Sequence, residues 1–239
     1  MARNEPAVLA PSGKRERGLA ERRKRLVHAA RELISERDDG SFSMQELATR
    51  AGLALATPYN LFGSKAKVLE QVFLQELQEF HRKRWKLGKQ TPVNMIMGIV
   101  DQLAVALFKR PQFFRNLSRE MFTLGPGDLS KNIGPVSEML LRPLVAELIE
   151  IGAVDKSVPA EIISLQLQLT YSASFSWWAV MDPTYDQFRS QMRACFALTF
   201  LAALSGEDRT RLYEILAQEA VVINSVTSGN LHLADIHKD

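Results

Sequence analysis

Residues 43–65 read SMQELATRAGLALATPYNLFGSK, and this stretch decides the fold of the N-terminal part of the chain. Ser43 stands directly before an apolar-periodic segment and Glu46 follows three residues later, which is the pattern of a capping box at the start of a helix. Gly52 ends that helix, and a second short helical segment covers residues 55–62. Two short helices joined by a tight glycine-containing turn predict a helix-turn-helix motif.

Helical periodicity continues on both sides of this motif. Upstream, one apolar helical stripe runs from Leu26 to Ile34, and downstream a longer stripe covers residues 68–80. Between residues 91 and 226 six further helical patterns are separated by proline and glycine positions. The chain is therefore predicted to be all-α.

Charge is distributed unevenly along the chain. The formal net charge is +3, but residues 1–89 carry +7 and residues 90–239 carry −4. Seven basic residues lie between Lys14 and Arg25. A charge run alone is often only a solvated surface, but next to a helix-turn-helix motif it indicates contact with a polyanion.

Motifs that carry enzymatic chemistry are missing from the sequence. It contains no G-x-S-x-G, G-x-x-x-x-G-K-[ST] or G-x-G-x-x-G pattern. The four histidines and Cys195 do not have the spacing of a zinc site. We therefore expect neither an enzyme nor a metal or other cofactor. The single cysteine and the absence of an apolar N-terminal leader predict a cytoplasmic protein.

The segment 162–181 contains no charged residue, and three structures compete for it. Its length suits a membrane span, but its many Ser, Thr and Gln side chains do not suit lipid. Its alternation of apolar and polar residues is typical of a strand, but no second strand-like segment could pair with it. We expect a helix buried within the protein, and no membrane contact.

Several residues in this N-terminal part resemble a known family. Ala29-Ala30, the run 46–53, Tyr59 and Phe62, and Gly63-Ser64-Lys65 resemble the N-terminal pattern of the TetR family of transcriptional regulators. The resemblance covers about residues 20–75. It implies a three-helix DNA-binding domain and a helical C-terminal domain for ligand binding and dimerisation.

The second helix of the motif offers side chains that can read base edges. Leu55, Ala56 and Thr57 can make apolar contacts with thymine methyl groups, and Asn60 can bind adenine through its amide. The resemblance implies that Tyr59 and Lys65 contact phosphates. Arg22 and Arg23 of the basic run and Ser43 complete the predicted DNA-binding set, although Tyr59 as a core aromatic, Asn60 as a surface residue and Lys65 as an ordinary exposed lysine remain alternatives.

Three positions differ from the usual family pattern. Ala54 replaces a capping serine, Pro58 replaces an aliphatic residue, and Leu61 replaces a residue that often contacts phosphate. Proline is compatible with a helix only in its first turn, so the second helix of the motif is expected to begin late. The sequence therefore predicts which residues contact bases only to within about one position along the helix.

The C-terminal part is predicted to bind a small molecule and a second copy of the chain. Both expectations follow from the resemblance, and an ordinary core is the alternative for each residue. An effector of largely apolar type would contact Met95, Ile99, Leu103, Phe113, Leu117, Met121, Met139, Tyr171, Phe175 and Trp178, with Arg115, Arg119 and Arg142 as candidates for an anionic group. The dimer interface would contain Leu165, Leu169, Phe175, Cys195, Leu198 and Leu201.

Together these expectations describe a regulator of transcription. Residues 1–17 are predicted to be a flexible basic lead-in, 18–66 the DNA-binding domain, 67–90 a linker helix, 91–226 the ligand-binding and dimerisation domain, and 227–239 a tail. The protein would repress transcription by binding a palindromic site in double-stranded DNA as a homodimer, and a small molecule would release it. The alternatives are a DNA-binding regulator or chromosome-associated factor without an effector, and a helical enzyme or carrier.

Overall fold

The computed structural model describes residues 13–84, 90–128, 131, 134–155 and 157–230. The regular elements within these residues are all helices, which confirms the predicted fold class. The eleven helices are α1 (Lys14–Glu36), α2 (Met44–Arg50), α3 (Thr57–Phe62), α4 (Lys65–Arg84), α5 (Pro92–Lys109), α6 (Pro111–Phe122), α7 (Pro126–Asp128), α8 (Gly134–Glu150), α9 (Ala160–Met181), α10 (Tyr185–Leu201) and α11 (Gly206–Asn230).

Helices α1 to α3 form an N-terminal head that packs against the first half of α4. Leu26, Ala30 and Leu33 of α1 are buried with Leu47 of α2 and Leu69 of α4. The predicted apolar stripe of α1 is thus its core-facing side. The helix itself starts at Lys14, inside the predicted lead-in 1–17, because the basic run continues the helix toward the N-terminus. Residues 1–12 lie outside the described part of the chain.

The helix-turn-helix motif has the local structure that its sequence predicts. Ser43 and Glu46 form the capping box of α2, and Gly52 takes a positive φ of 62° in the turn. The amide of Leu53 donates to the carbonyl of Ala48 and so closes the end of α2. Pro58 is buried in the first turn of α3, where its missing N–H costs little, and the helix therefore begins late, at Thr57.

The remaining helices form the body. Helix α10 packs against α9, α11 and α5. Its Phe188, Phe196 and Phe200 are fully buried, and Phe188 contacts the buried Trp178 of α9. The uncharged segment 162–181 is helical, as predicted, within α9. Its alternating pattern does not produce a strand because α9 buries residues at helical spacing, Ile163, Leu167, Tyr171, Ser174 and Trp178.

Helix α5 is long and apolar enough to cross a membrane by length and composition alone. Its mean hydropathy over 18 residues is 1.3, and 44% of that segment is buried in the protein. It packs against α10 within the body. The core residues of α5 are Val93, Ile96, Met97, Ile99, Val100, Leu103, Ala104 and Leu107.

Two further predicted boundaries fall within helices. Helix α4 begins at Lys65, within the predicted DNA-binding domain, and continues without a break into the predicted linker. The predicted tail starts at residue 227, but α11 continues to Asn230 because no proline or glycine pair stops it earlier. Residues 231–239 lie outside the described part of the chain.

Head and body meet where α6 contacts the C-terminal end of α1. The last carbonyls of a helix have no partner inside it, and α1 has no basic residue in its last turn to bind them. Asn116 of α6 is fully buried, and its Nδ2 donates to the carbonyl oxygens of Ile34 and Arg37 over 2.8 and 2.7 Å. We call these residues, with Asp38, Gln112 and Arg119, the head–body joint.

The amide oxygen of Asn116 is also satisfied in the head–body joint. It accepts from Gln112 Nε2 at 3.0 Å and from Arg119 Nη1 at 3.3 Å. The same two side chains donate to the carbonyl of Asp38, over 3.0 and 3.1 Å. Three side chains of α6 therefore supply the hydrogen-bond donors that the end of α1 lacks.

Gly40 provides a test of how tightly the head–body joint is packed. Gly40 and Gly152 both have positive φ values, 69° and 72°, but a Cβ atom at Gly40 would overlap Asn116, whereas a Cβ at Gly152 would meet nothing within 4 Å. Both alanine variants should lose about 1–2 kcal/mol through left-handed backbone strain. Gly40→Ala should lose about 2 kcal/mol more in urea unfolding because of the overlap. Equal losses in the two variants would show that the joint has room to relax.

Candidate nucleic-acid interface and cavity

Helix α3 and the turn before it present most of the predicted DNA-contacting side chains to solvent. Leu55 is 53% exposed and Tyr59 is 55% exposed, and Ala56 and Asn60 are exposed as well. Thr57 is half-buried at the start of the helix. The alternative of Tyr59 as a core aromatic is therefore wrong. These five residues form one free surface at the N-terminal end of α3, which we call the α3 surface.

The basic run lies on the N-terminal half of α1, which extends beyond the packed head. Arg22 and Arg23 are exposed there, as the prediction requires. Arg25 has a different role, because its Nη2 donates to the carbonyls of Ala51 and Gly52 and so binds the turn between α2 and α3. The run therefore both fixes the helix-turn-helix geometry and places positive charge beside it.

Ser43 serves first as the cap of α2. Its Oγ accepts from the amide of Glu46 at 3.2 Å, and the Glu46 carboxylate accepts from the amide and the hydroxyl of Ser43, each at 2.8 Å. Arg37 donates to the same carboxylate. The hydrogen bond from Arg37 and those from Ser43 lower the pKa of Glu46 to about 2. The N-terminus of α2 is thus held to the end of α1 by an ion pair.

Lys65 is not an ordinary exposed lysine. Its ammonium pairs with the nearly buried carboxylate of Glu120 on α6 and lies 4.5 Å from the ring centre of Phe42. The first residue of α4 therefore contacts the body helix as well as the head. A phosphate contact by Lys65 remains a prediction, and it would have to compete with Glu120.

Comparison with protein-family models supports what this geometry indicates. Residues 26–72 match the model described as bacterial regulatory proteins, tetR family. These residues are therefore similar to the TetR family. The match includes the helix-turn-helix motif, so this part of the chain is similar to the N-terminal domain of these regulatory proteins. A comparison with curated proteins finds no match.

Solved structures share the TetR fold beyond the head. A TetR transcriptional regulator from Rhodococcus sp. RHA1 is 19% identical with a TM-score of 0.59, and the alignment covers 77% of this chain and 98% of that one. The TetR-family repressor FadR of Thermus thermophilus, in complex with lauroyl-CoA, is 19% identical with a TM-score of 0.64, covering 77% and 96%. The SmeT–triclosan complex is 16% identical with a TM-score of 0.56, covering 79% and 94%; SmeT is a repressor from Stenotrophomonas maltophilia.

The body of this TetR-type fold contains a cavity of about 510 Å³ between α4, α5, α6 and α9. Leu103 and Tyr171 of the predicted effector-contacting set line it. Helix α4 also lines the cavity, through Phe73, Leu77 and Phe80, none of which belongs to the predicted set. The apolar stripe of residues 68–80 could have indicated this, because it continues along α4 beyond the part that packs against the head.

The other predicted effector contacts lie away from this cavity. Ile99, Phe113, Leu117 and Trp178 are buried in the core, where the ordinary-core alternative holds, while Met139 is 52% exposed on α8. Met95 and Met121 pack against the core, and Phe175 stacks on Tyr171 and Trp178. The three arginines that were candidates for binding an anionic group do not line the cavity either. Arg115 pairs with Asp182, and Arg119 belongs to the head–body joint. Arg142 lines a separate groove between α8 and α9.

The predicted dimer residues divide into two groups. Leu165, Leu169 and Leu198 are 51%, 56% and 58% exposed. Cys195 and Leu201 are half-buried on α10, and burial raises the pKa of the Cys195 thiol. Phe175 is occupied by its aromatic neighbours inside the body. The exposed leucines of α9 and α10 are apolar surface that water does not favour.

The low pKa of Glu46 makes the stability of the head depend on pH. Because its pKa is about 2 in the folded protein and 4.5 is the ordinary value, the stabilisation is complete above about pH 4.5 and is lost as the pH falls toward 2. Glu46→Gln should therefore be less stable than the parent protein at pH 6, and this difference should shrink as the pH falls to 3 in urea unfolding. Arg37→Met should also be less stable than the parent protein at pH 6, with a difference that shrinks toward pH 3. If the difference in stability between Glu46→Gln and the parent protein stayed constant from pH 6 to pH 3, the low pKa of Glu46 would be contradicted.

Proposed function

We propose that this protein is a ligand-responsive transcriptional repressor that binds an approximately palindromic operator as a homodimer in the cytoplasm. The exposure of the α3 surface on a TetR-family head is the observation that carries the proposal. A small molecule in the body cavity would lower the affinity for DNA. The protein would act by binding alone, without catalysis.

The α3 surface has the size and chemistry that major-groove reading requires. Short side chains at Ala56 and Thr57 allow a close approach, and the free amide of Asn60 can donate to and accept from an adenine edge. Tyr59 and the exposed arginines of α1 would contact phosphates, which orient the head without specifying sequence.

A homodimer would explain both the exposed leucines and the small reading head. One short helix contacts few base pairs, so two heads on half-sites about 34–36 Å apart, or a multiple of that, raise both affinity and specificity. Leu165, Leu169 and Leu198 would be buried between the two copies. The two-fold symmetry of such a dimer predicts a palindromic site.

The cavity is placed so that a bound molecule could affect the head. Glu76 on its wall is nearly buried and pairs with Arg31 of α1 at 2.6 Å and with Arg110 at the end of α5. Arg110 precedes α6, which carries the head–body joint. A molecule that binds better to the arrangement with low DNA affinity must weaken DNA binding by the same coupling free energy. The lauroyl-CoA and triclosan complexes of similar folds support a ligand in the body.

The proposed DNA contacts can be tested on duplexes that the purified protein selects from a random library. In fluorescence anisotropy, Asn60→Ala should lose discrimination at one base-pair position by about 1–3 kcal/mol. Arg22→Ala should weaken binding to every duplex and reduce the salt slope by about one. Asn94→Ala, an exposed body residue, is the matched control and should change neither. Failure of the parent protein to select any sequence would refute operator binding.

The same titration tests the homodimer through its stoichiometry. The parent protein should saturate a selected duplex at two protomers per site. Leu169→Glu should be monomeric in sedimentation and should bind the duplex far more weakly, because burying the carboxylate between two copies is unfavourable. Leu55→Glu changes an equally exposed leucine in the head and should leave the free protein dimeric. A monomeric parent protein would contradict this part of the proposal.

A further inference from the structure

The cavity in the body has a mainly apolar wall. Its volume of about 510 Å³ lies in the range of pockets that enclose small organic molecules. The buried side chains of Leu77, Leu103 and Leu107 line it. Three aromatic rings also line it, those of Phe73, Phe80 and Phe114. A ligand of this cavity therefore has a mainly apolar body.

Two cationic side chains lie on the part of the wall that is open to solvent. Lys109 ends α5 and Arg110 follows it, and both line the cavity. Lys109 is exposed, and the side chain of Arg110 is 40% exposed. The guanidinium carbon of Arg110 lies 4.8 and 5.1 Å from the ring centres of Phe113 and Phe114. Positive charge and apolar surface therefore adjoin in the cavity.

The carboxylates on the same wall already have cationic partners. Glu76, Glu79 and Asp101 line the cavity. Glu76 is nearly buried and pairs with both Arg31 and Arg110. Glu79 lies 3.5 Å from Arg31. A cationic ligand would therefore have to compete with arginines for these carboxylates.

Asp101 is paired through a network that continues into the body. Its carboxylate accepts from Arg189 at 2.8 Å and from Arg193 at 3.1 Å, and Arg193 also pairs with Glu219 at 2.6 Å. These wall groups and their ion-pair partners comprise four carboxylates and five cations. The cation in excess is Lys109, which makes no ion pair with any residue that the structure describes. A ligand with one negative charge would neutralise it.

Arg110 also retains hydrogen-bonding capacity beside Lys109. A guanidinium has five N–H groups. The contacts with Glu76 engage Nη1, at 3.3 Å, and Nη2, whereas Nε has no partner among the described residues. A carboxylate bound at this part of the wall can therefore accept from Arg110 as well as from Lys109.

We propose that the cavity binds an amphiphilic monoanion, with a single carboxylate at Lys109 and Arg110 and an apolar tail among the leucines and aromatic rings of the wall. A fatty acid has this chemistry. The ligand class deepens the proposed function, on which its regulatory meaning rests.

Direct binding of a fluorescent fatty acid tests the site without DNA. cis-Parinaric acid has one carboxylate and a polyene tail that becomes more fluorescent in apolar surroundings. Its methyl ester has the same tail without the charge. The parent protein should bind the acid at least tenfold more tightly than the ester, because the ester lacks the charge-assisted bonds. Decanoate should displace the acid, and decyltrimethylammonium should do so at least tenfold less well.

Variants assign the binding to the cavity and to its excess cation. Lys109→Met should weaken binding of the acid about fivefold, a modest loss because the ion pair is exposed to solvent, and should leave the ester unaffected. Lys24→Met, the same change at an exposed lysine of the head, should affect neither ligand. Ala106→Trp, which fills the cavity from α5, should abolish binding of both. Ala106→Leu serves the same purpose if the tryptophan variant does not fold.

Three results would overturn the inference. Equal affinity for acid and ester would refute the selection of an anion, and an unchanged preference in Lys109→Met would refute the role of this lysine. Full binding to a folded variant with a filled cavity, or no binding to the parent protein, would reject the site. Thermal unfolding shows beforehand that each variant is folded. Because these titrations contain no DNA, their failure and the failure of operator binding are distinguishable.

Discussion

The fully buried amide of Asn116 is the contact on which the arrangement of head and body depends. Its two N–H groups bind the last carbonyls of α1, and its oxygen accepts from Gln112 and Arg119. An unpaired carbonyl at a buried helix end costs about 1–3 kcal/mol, so these bonds both stabilise α1 and determine which helix it can dock against. Gly40 is required beside them because a side chain there would overlap Asn116.

The regulation that we propose requires a connection of this kind between head and body. The C-terminal end of α1 is bound to α6, and the start of α4 is bound to α6 through Lys65 and Glu120. The middle of α1 is linked to the cavity wall through Arg31 and Glu76. The head therefore contacts the body through charged and polar groups with specific partners. Ion pairs and hydrogen bonds of this kind are either formed or broken. A ligand that breaks them can therefore move the head between distinct positions.

The sequence was sufficient to predict the helix-turn-helix motif, because its determinants are local. The capping box at Ser43, the turn at Gly52 and the first-turn position of Pro58 depend only on neighbouring residues. The long helices could be counted from periodicity and from proline and glycine positions. The exposure of Tyr59 and Asn60 agrees with their predicted place on the free side of α3.

The cavity and the joint could be predicted only in part, because they depend on how distant helices pack. Ile99 and Leu117 have the same apolar character as Leu103, but only Leu103 lines the cavity. Asn116 is an ordinary amide in the sequence, and nothing local shows that it binds the end of α1. Glu120 likewise redirects Lys65 from across the fold.

Hydrogen exchange of Asn116→Leu compared with the parent protein tests most directly whether this amide holds the head in place. Leucine has a similar size but no hydrogen bond, so the end of α1 would lose two of its donors. We expect faster exchange in α1, α2 and α3, and unchanged protection in α9 and α10, because the head would open while the body core stays packed. Unchanged protection in the head, or an equal loss throughout the described helices, would contradict it.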